Sequence, residues 1–258
     1  MFSSKLSILL SLLPFAFAAP AADLEKREAS ATMCGLFDTA FDGNYELFLN
    51  QWGASGATSG SDCASITSLN GNTIAWTTTW TWVGGNGVKS FTNIGLNAGI
   101  NQQLSAISTI PTVWDWQQST TGTIVADVAY DMFTANSPGG TATTEIMVWL
   151  ANINAGPISS SFNAAGQPNP VASGISLAGH TWNLYSGSNG ANAVFSFLPS
   201  TSGTQITSFS GDLMTFFTYL IQHEGLSSSQ FLTTLQGGTE ATSGSATLTT
   251  TAYSVVIN

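Results

Sequence analysis

Charge is what this sequence has least of. Only 7% of its 258 residues are Asp, Glu, Lys or Arg, where an ordinary soluble domain has about 25%. Bases are scarcer still, with 4 Lys+Arg against 14 Asp+Glu and a formal net charge of −10. Four cations cannot neutralise a phosphate backbone, which excludes nucleic-acid binding. The 2 Cys (Cys34, Cys63) and 2 His (His180, His223) match no metal-ligand spacing, so no metal and no cofactor is implied. No Gly-x-Ser-x-Gly elbow occurs, and neither His sits in a motif, so a nucleophilic triad is not indicated. An Asn-x-Ser/Thr sequon is missing too, and past the N-terminus no apolar run is long enough to cross a membrane.

What is present is apolar and aromatic: 43% hydrophobic residues, 26 Gly, 8 Trp, 5 Tyr and 15 Phe. Disordered chains are polar, charged and poor in aromatics, so this one folds. Its length suits one all-β or barrel domain.

The N-terminus reads as a leader. Lys5 precedes the apolar run Leu6 to Ala18, and Ala16-Phe17-Ala18 supplies small residues for cleavage, giving a signal peptide over 1–18. Residues 19–27 end in Lys26-Arg27, a dibasic point that marks a propeptide, leaving 28–258 as the mature domain. That domain keeps 12 acids and one base, Lys89. The expected location is extracellular. In that oxidising setting an isolated Cys34 and Cys63 pair as a disulfide. It would close a loop of about 30 residues and contribute roughly 3–4 kcal/mol in the chain-entropy model.

From Cys34 onward no linker, charge block or repeat interrupts the chain. Short alternating runs broken by Gly, Asn and Ser predict strands at Thr73–Trp76, Thr123–Phe133, Glu145–Ala151, Thr181–Tyr185, Ala193–Leu198 and Ser245–Ile257. Asn70-Gly71-Asn72 and Gly84 to Gly87 read as turns. One segment changes period. In Ser210 to Gly225, Leu213, Phe216, Phe217, Leu220 and Ile221 recur at three and four residues. Ser210 or Asp212 can cap its start, and Gly225 suits its C-terminal end.

With so few charges, each carboxylate is informative. In Glu145-Ile-Met-Val-Trp-Leu150, strand alternation puts Ile146, Val148 and Leu150 on one face and Glu145, Met147 and Trp149 on the other. The second face suits a sugar-binding cleft; read blandly, it is an edge-strand Glu beside two half-buried hydrophobes. Asp127, Ala129 and Asp131 likewise share a face, either as an acid with a tuning neighbour or as solvated decoration. Glu240, alone, looks like a turn residue. Lys89 reads as an ion-pair partner or a ligand contact. Eight Trp are more than one core should hold, so some should line a surface for a neutral polysaccharide.

Taken together, these stretches resemble the fungal members of glycoside hydrolase family 12, small endo-β-1,4-glucanases. The resemblance rests on Asn50-Gln51-Trp52-Gly53, Trp80 to Gly85, Val88-Lys89-Ser90, Asp127 to Phe133, Glu145 to Trp149, Gly156-Pro157-Ile158, Ser210-Gly211-Asp212 and Gly238-Thr239-Glu240. It implies an all-β jelly-roll sandwich of two curved antiparallel sheets, one packed helix and an open cleft. It also implies Glu145 as nucleophile, Glu240 as general acid/base and Asp131 as the residue positioning Glu145. Asn50, Trp52, Met147, Trp149, Pro157, Ile158 and Asn189 would line subsites, and the Cys34–Cys63 disulfide fits. Retaining hydrolysis follows, with like-charge repulsion keeping the acid protonated. The implied partner is a β-1,4-glucan bound by a monomer, with no membrane.

Two departures stand out. Ala241-Thr242 replaces the Pro-Phe that usually follows the acid/base, and Phe37, a smaller stacking surface for substrate at the distal end, stands where a Trp is common. The Glu-Ile-Met-Val-Trp strand, Ala-Gly-Pro-Ile-Ser and upstream Trp114 and Trp116 look closest to the xyloglucan-specific branch, with unbranched β-glucan as the runner-up. A non-catalytic glucan-binding or host-recognised protein is the alternative of another class. It would keep its effect in a Glu145→Gln variant.

Overall fold

Alternating apolar residues dictate strands through most of the chain, and a computed structural model describes residues 30–258. The leader over 1–18 and the dibasic point at 26–27 lie outside the described residues. In order come β1 (Thr39–Asp42), β2 (Tyr45–Phe48), β3 (Ser59–Asn70), β4 (Thr73–Val83), β5 (Ser90–Leu96), β6 (Gln102–Gln103) and β7 (Pro111–Ala135). Then follow β8 (Ala142–Ile153), β9 (Ala172–Leu177), β10 (His180–Ser188), β11 (Ala193–Pro199), β12 (Ser208–Asp212), helix α1 (Met214–His223) and β13 (Phe231–Val255).

The two expected antiparallel sheets are one continuous hydrogen-bonded surface, because β7 and β13 each run for 25 residues through both layers. The first half of β13 lies between β5 and the second half of β7. Its second half lies between β4 and the first half of β7. One layer therefore runs β1-β2-β5-β13-β7-β8-β11-β10-β9, and the other is built from β3, β4, β12 and the remaining halves of β7 and β13. Bulges between Leu232 and Thr234, and again between Ala241 and Ser245, let β13 bend from one layer to the other. The β8–β11 pair is parallel, a further departure from expectation. The chain leaves β8, crosses to the far edge as β9 and returns inward through β10 and β11.

How far β7 bends is visible in the core. Trp114 and Tyr130 sit about sixteen residues apart in it, a span of about 50 Å if straight. Their rings meet edge to face, with centroids 5.0 Å apart. Tyr253 of β13 packs on both, and on Tyr45 of β2. Ile146, Val148 and Leu150 join this core, as alternation requires. Helix α1 closes one side, Phe216 packing against Trp182 and Phe197 and Phe217 buried in the same core. Of the two expected caps it is Asp212 that holds the start: its Oδ1 accepts the N–H groups of Met214 (2.9 Å) and Ile110 (2.7 Å). Gly225 takes φ +76°, as expected past a helix end.

The tryptophans divide unevenly: Trp52 and Trp149 line the cleft, and the rest are core residues. Trp76, Trp80, Trp82, Trp114, Trp116, Trp149 and Trp182 are all buried, and Trp52 stands out as the exposed one, at 54%. The interior accommodates them because it comprises more than one cluster. Trp80 and Trp82 pack with Ile124, Ala126, Ala241 and Ala246, apart from the main core. Trp114 and Trp116 are thus residues of the main core.

Gly237 marks a close approach of the layers: a Cβ there would lie 2.8 Å from Tyr253 Cε2 and 3.2 Å from Trp114 Cζ3. Both rings are buried and cannot yield. A Gly237→Val variant should lose about 1–3 kcal/mol by overpacking, read from urea unfolding. An unchanged midpoint would show that the layers are not locked at this point.

Candidate active site

The face of the first layer turned away from the core gathers the carboxylates. On β7, Asp127, Ala129 and Asp131 project there; on β8, Glu145, Met147 and Trp149 do; on β13, Gln236 and Glu240 do. Register places Asp131 beside Met147 on one side and Gln236 on the other. The outcome is a cavity of about 410 Å³ lined by Asp131, Glu145 and Glu240 together with Asn50, Trp52, Met147, Trp149, Ile158 and Asn189. The expected catalytic trio and six of the expected lining residues therefore share one cleft. Pro157 is not in its wall, although its neighbours Gly156 and Ile158 are, and Phe37 stands exposed outside it. A hollow of about 330 Å³ shares Val88, Trp149, Gly156 and Glu240 and adds Asp127 and Thr242, extending the cleft past the acid. Ala241 turns into the Trp80–Trp82 cluster, so of the departing pair only Thr242 reaches the cleft, with a small hydroxyl.

Val88, Phe91, Phe133, Gly156 and Gln236 also line the cavity. Alternation from Asp131 and from Glu240 would have found Phe133 and Gln236. Phe91 arrives through its pairing with Glu240, which local pattern does not reveal.

The binding residues are held from behind. Cys34 and Cys63 form the disulfide, which ties the N-terminal segment to β3. Gln51 Nε2 donates to the carbonyls of Cys34 (3.2 Å), Gly35 (3.3 Å) and Asp62 (3.0 Å). That grip fixes the loop carrying Asn50 and Trp52. The Asp62 carboxylate, fully buried, accepts hydroxyls from Thr78, Ser90 and Thr92 and so pins β3, β4 and β5 together beneath it. Gly53 must be glycine, since a Cβ would strike the Val88 carbonyl oxygen at 2.0 Å. At the far wall, Asn189 Oδ1 accepts the N–H groups of Ala191 (2.9 Å) and Asn192 (2.7 Å), which orients the amide. Its Nδ2 then donates to Glu145 Oε2 at 2.7 Å.

Environment separates the acids. Burial raises the Glu145 carboxyl above its ordinary value, and the Asn189 hydrogen bond favours the ionised form and pulls it back. Glu240 is raised from 4.5 to about 7, by burial first and by the charge of Glu145 second. Like-charge repulsion, the expected cause, is thus the lesser one. Asp131 is held well above the carboxylate range by burial and then by the charges of Glu145 and Glu240. Its Oδ1 is buried without an N–H or O–H donor, so a hydrogen bond from Asp131 to Glu145 needs a proton on Asp131. Lys89 offers no compensation. Its buried ammonium donates to the carbonyls of Asn86 and Gly87. Among the described residues, no group of three or more His, Cys, Asp or Glu could hold a metal ion.

The family model for glycosyl hydrolase family 12 matches residues 43–258. The xyloglucan-specific endo-beta-1,4-glucanase A of Emericella nidulans is 47% identical over 252 residues, spanning 96% of this chain and 99% of that protein. The protein of the same name from Aspergillus aculeatus is 46% identical over 251 residues, spanning 96% and 99%. Among solved structures, the catalytic domain of Humicola grisea Cel12A, in complex with a soaked thio cellotetraose, has a TM-score of 0.79 at 34% identity, covering 88% of this chain and 99% of that one. The family 12 endoglucanase 3 of Trichoderma harzianum has a TM-score of 0.79 at 33% identity, covering 92% and 100%.

Raised carboxyl pKa values have a sign. Asp127, Asp131, Glu145 and Glu240 all lie above their ordinary values. Above those ordinary values the folded chain holds protons that the unfolded chain has released, for Glu240 up to about 7, so stability falls as pH rises. The thermal midpoint should drop from about pH 5 to above 7, and Glu240→Gln should remove part of that slope, on the order of 2 kcal/mol. A midpoint that climbs over the same range would contradict this.

Proposed function

The chain belongs to glycosyl hydrolase family 12, and from that premise we propose that it cleaves internal β-1,4-glucosidic bonds of xyloglucan with retention of configuration. The supporting observation is one cavity that holds an ionisable Glu145, stabilised by Asn189, together with Glu240, whose proton persists to about 7. Those are the two states that a retaining glycosidase needs. The nucleophile attacks the anomeric carbon as a carboxylate, while the acid protonates the departing oxygen and afterwards takes a proton from water. Asp131, protonated beside Glu145, positions it.

The lining carries no Lys, Arg or His, which suits a neutral chain rather than an anionic one. Trp52, half out of the surface, and Trp149 in the cleft wall offer faces on which sugar rings can stack. The relatives named as xyloglucan-specific, at 46–47% identity over nearly the whole chain, support the branched substrate. Unbranched β-glucan is the second choice, supported by the thio cellotetraose bound to the Humicola grisea domain. The leader-like N-terminus and the disulfide support secretion, and we assign a monomer.

Proton NMR of xyloglucan digestion should show the β-anomer of the new reducing end first, and initial α-anomer would refute retention. Rates should be higher on xyloglucan than on carboxymethyl cellulose or mixed-linkage glucan; the reverse order would move the assignment to unbranched glucan. Glu145→Gln and Glu240→Gln should each lower kcat by roughly 10²–10⁴-fold.

A further inference from the structure

Between the pairs Gly238↔Ala129 and Ala241↔Ala126 the β7–β13 ladder opens, leaving Thr239 and Glu240 without a partner on β7. Asp127 closes that gap with its own groups. Its Oδ1 accepts the backbone N–H of Glu240 at 2.8 Å, and its backbone carbonyl accepts the Thr239 hydroxyl. The residue is 1% exposed, yet its Oδ2 meets no N–H or O–H donor. An unpartnered carboxylate oxygen at that depth costs free energy unless a proton sits on it. The neighbour able to share that proton is the Glu240 carboxyl, with which the Asp127 side chain is hydrogen-bonded.

We propose that Asp127 is the positioning residue of Glu240: a neutral carboxylic acid whose Oδ1 anchors the Glu240 backbone and whose Oδ2–H donates to one Glu240 carboxyl oxygen, leaving the other, with its proton, to face the glycosidic bond. The inference rests on the glycosidase reading of the site. It adds to that reading a residue that need not touch the sugar. Two other acids face this pair, Glu145 on β8 and Asp131 on β7. The nearby cation, Lys89, spends its donors on Asn86 and Gly87. Burial and the charge of Glu240 both hold Asp127 well above the carboxylate range, in keeping with a retained proton. Its hydrogen bond also restrains Glu240, which without it would lie above about 7.

Two substitutions separate this role from a structural one. Asp127→Asn keeps an acceptor for the Glu240 N–H and an N–H donor for its carboxylate, and is neutral at every pH. It should retain kcat within a few-fold and leave the alkaline limb of the pH–kcat profile in place. Asp127→Ala removes both bonds. It should lower kcat roughly 10²-fold with KM little changed, and move the alkaline limb above about 7. An alkaline limb displaced to lower pH in Asp127→Asn would show that Asp127 is ionised, and an Asp127→Ala variant with a normal profile would show that it only packs; either overturns the proposal. Should Asp127→Ala not fold, the Asp127→Asn profile decides alone. Carbon-13 NMR titration of labelled Asp and Glu carboxyls reads the same point without turnover. The Asp127 carboxyl should stay protonated well above the ordinary carboxylate range in the wild-type protein, and a midpoint near 4 would sink the idea. A wild-type enzyme inactive on every β-1,4-glucan would refute the glycosidase reading and leave this titration to judge Asp127.

Discussion

Strands β7 and β13 pair along most of their 25-residue lengths, and each bends through both layers. One ladder therefore builds the core on its inner face and the acidic cleft on its outer face. Trp114, Tyr130 and Tyr253 lock the bend from inside. Asp127, Asp131, Gln236 and Glu240 ride on the outside of the same two strands, and β8 supplies Glu145 as the next neighbour. A change in the register of this ladder by one residue would exchange the two faces, sending carboxylates inward and aromatics into the cleft.

Scarcity of cations decides the chemistry of that outer face. In a charge-rich protein, buried carboxylates would be neutralised by Arg or Lys, which lowers their pKa values. Here Lys89 is the single base after residue 27, and its ammonium is engaged by two loop carbonyls. The acids are left to share protons among themselves. Glu145 has the help of Asn189 in staying ionised, whereas Glu240 lies deep enough and close enough to Glu145 to keep its proton. Low overall charge thus yields both a surface suited to an uncharged polysaccharide and an acid paired with a nucleophile.

Much of this was legible in the residues. The 3–4 spacing located α1, alternation placed Glu145, Met147 and Trp149 on one face opposite Ile146, Val148 and Leu150, and the two Cys paired as their expected compartment implies. What was not legible depends on long-range contact. Nothing local says that Thr123–Phe133 continues back to Pro111 through bends, because bulges break the alternation that marks a strand. How few Trp would reach the cleft was hidden for a related reason: capacity for buried indoles depends on the number of separate clusters, which only the folded layers reveal. Asn189 was named through resemblance, but its grip on Glu145 follows from a turn that its own Oδ1 organises. Asp127 showed as a face-mate of Asp131, while its tie to Glu240 required β13 to lie alongside.

Neutron diffraction from crystals equilibrated in heavy water at about pH 6, above the ordinary carboxylate range and below the value of about 7 for Glu240, would test the central claim, an ionised nucleophile among protonated acids. Deuterium is expected on Asp127, Asp131 and Glu240 and absent from Glu145. A deuteron on Glu145, or a bare Glu240 at that pH, would contradict the account.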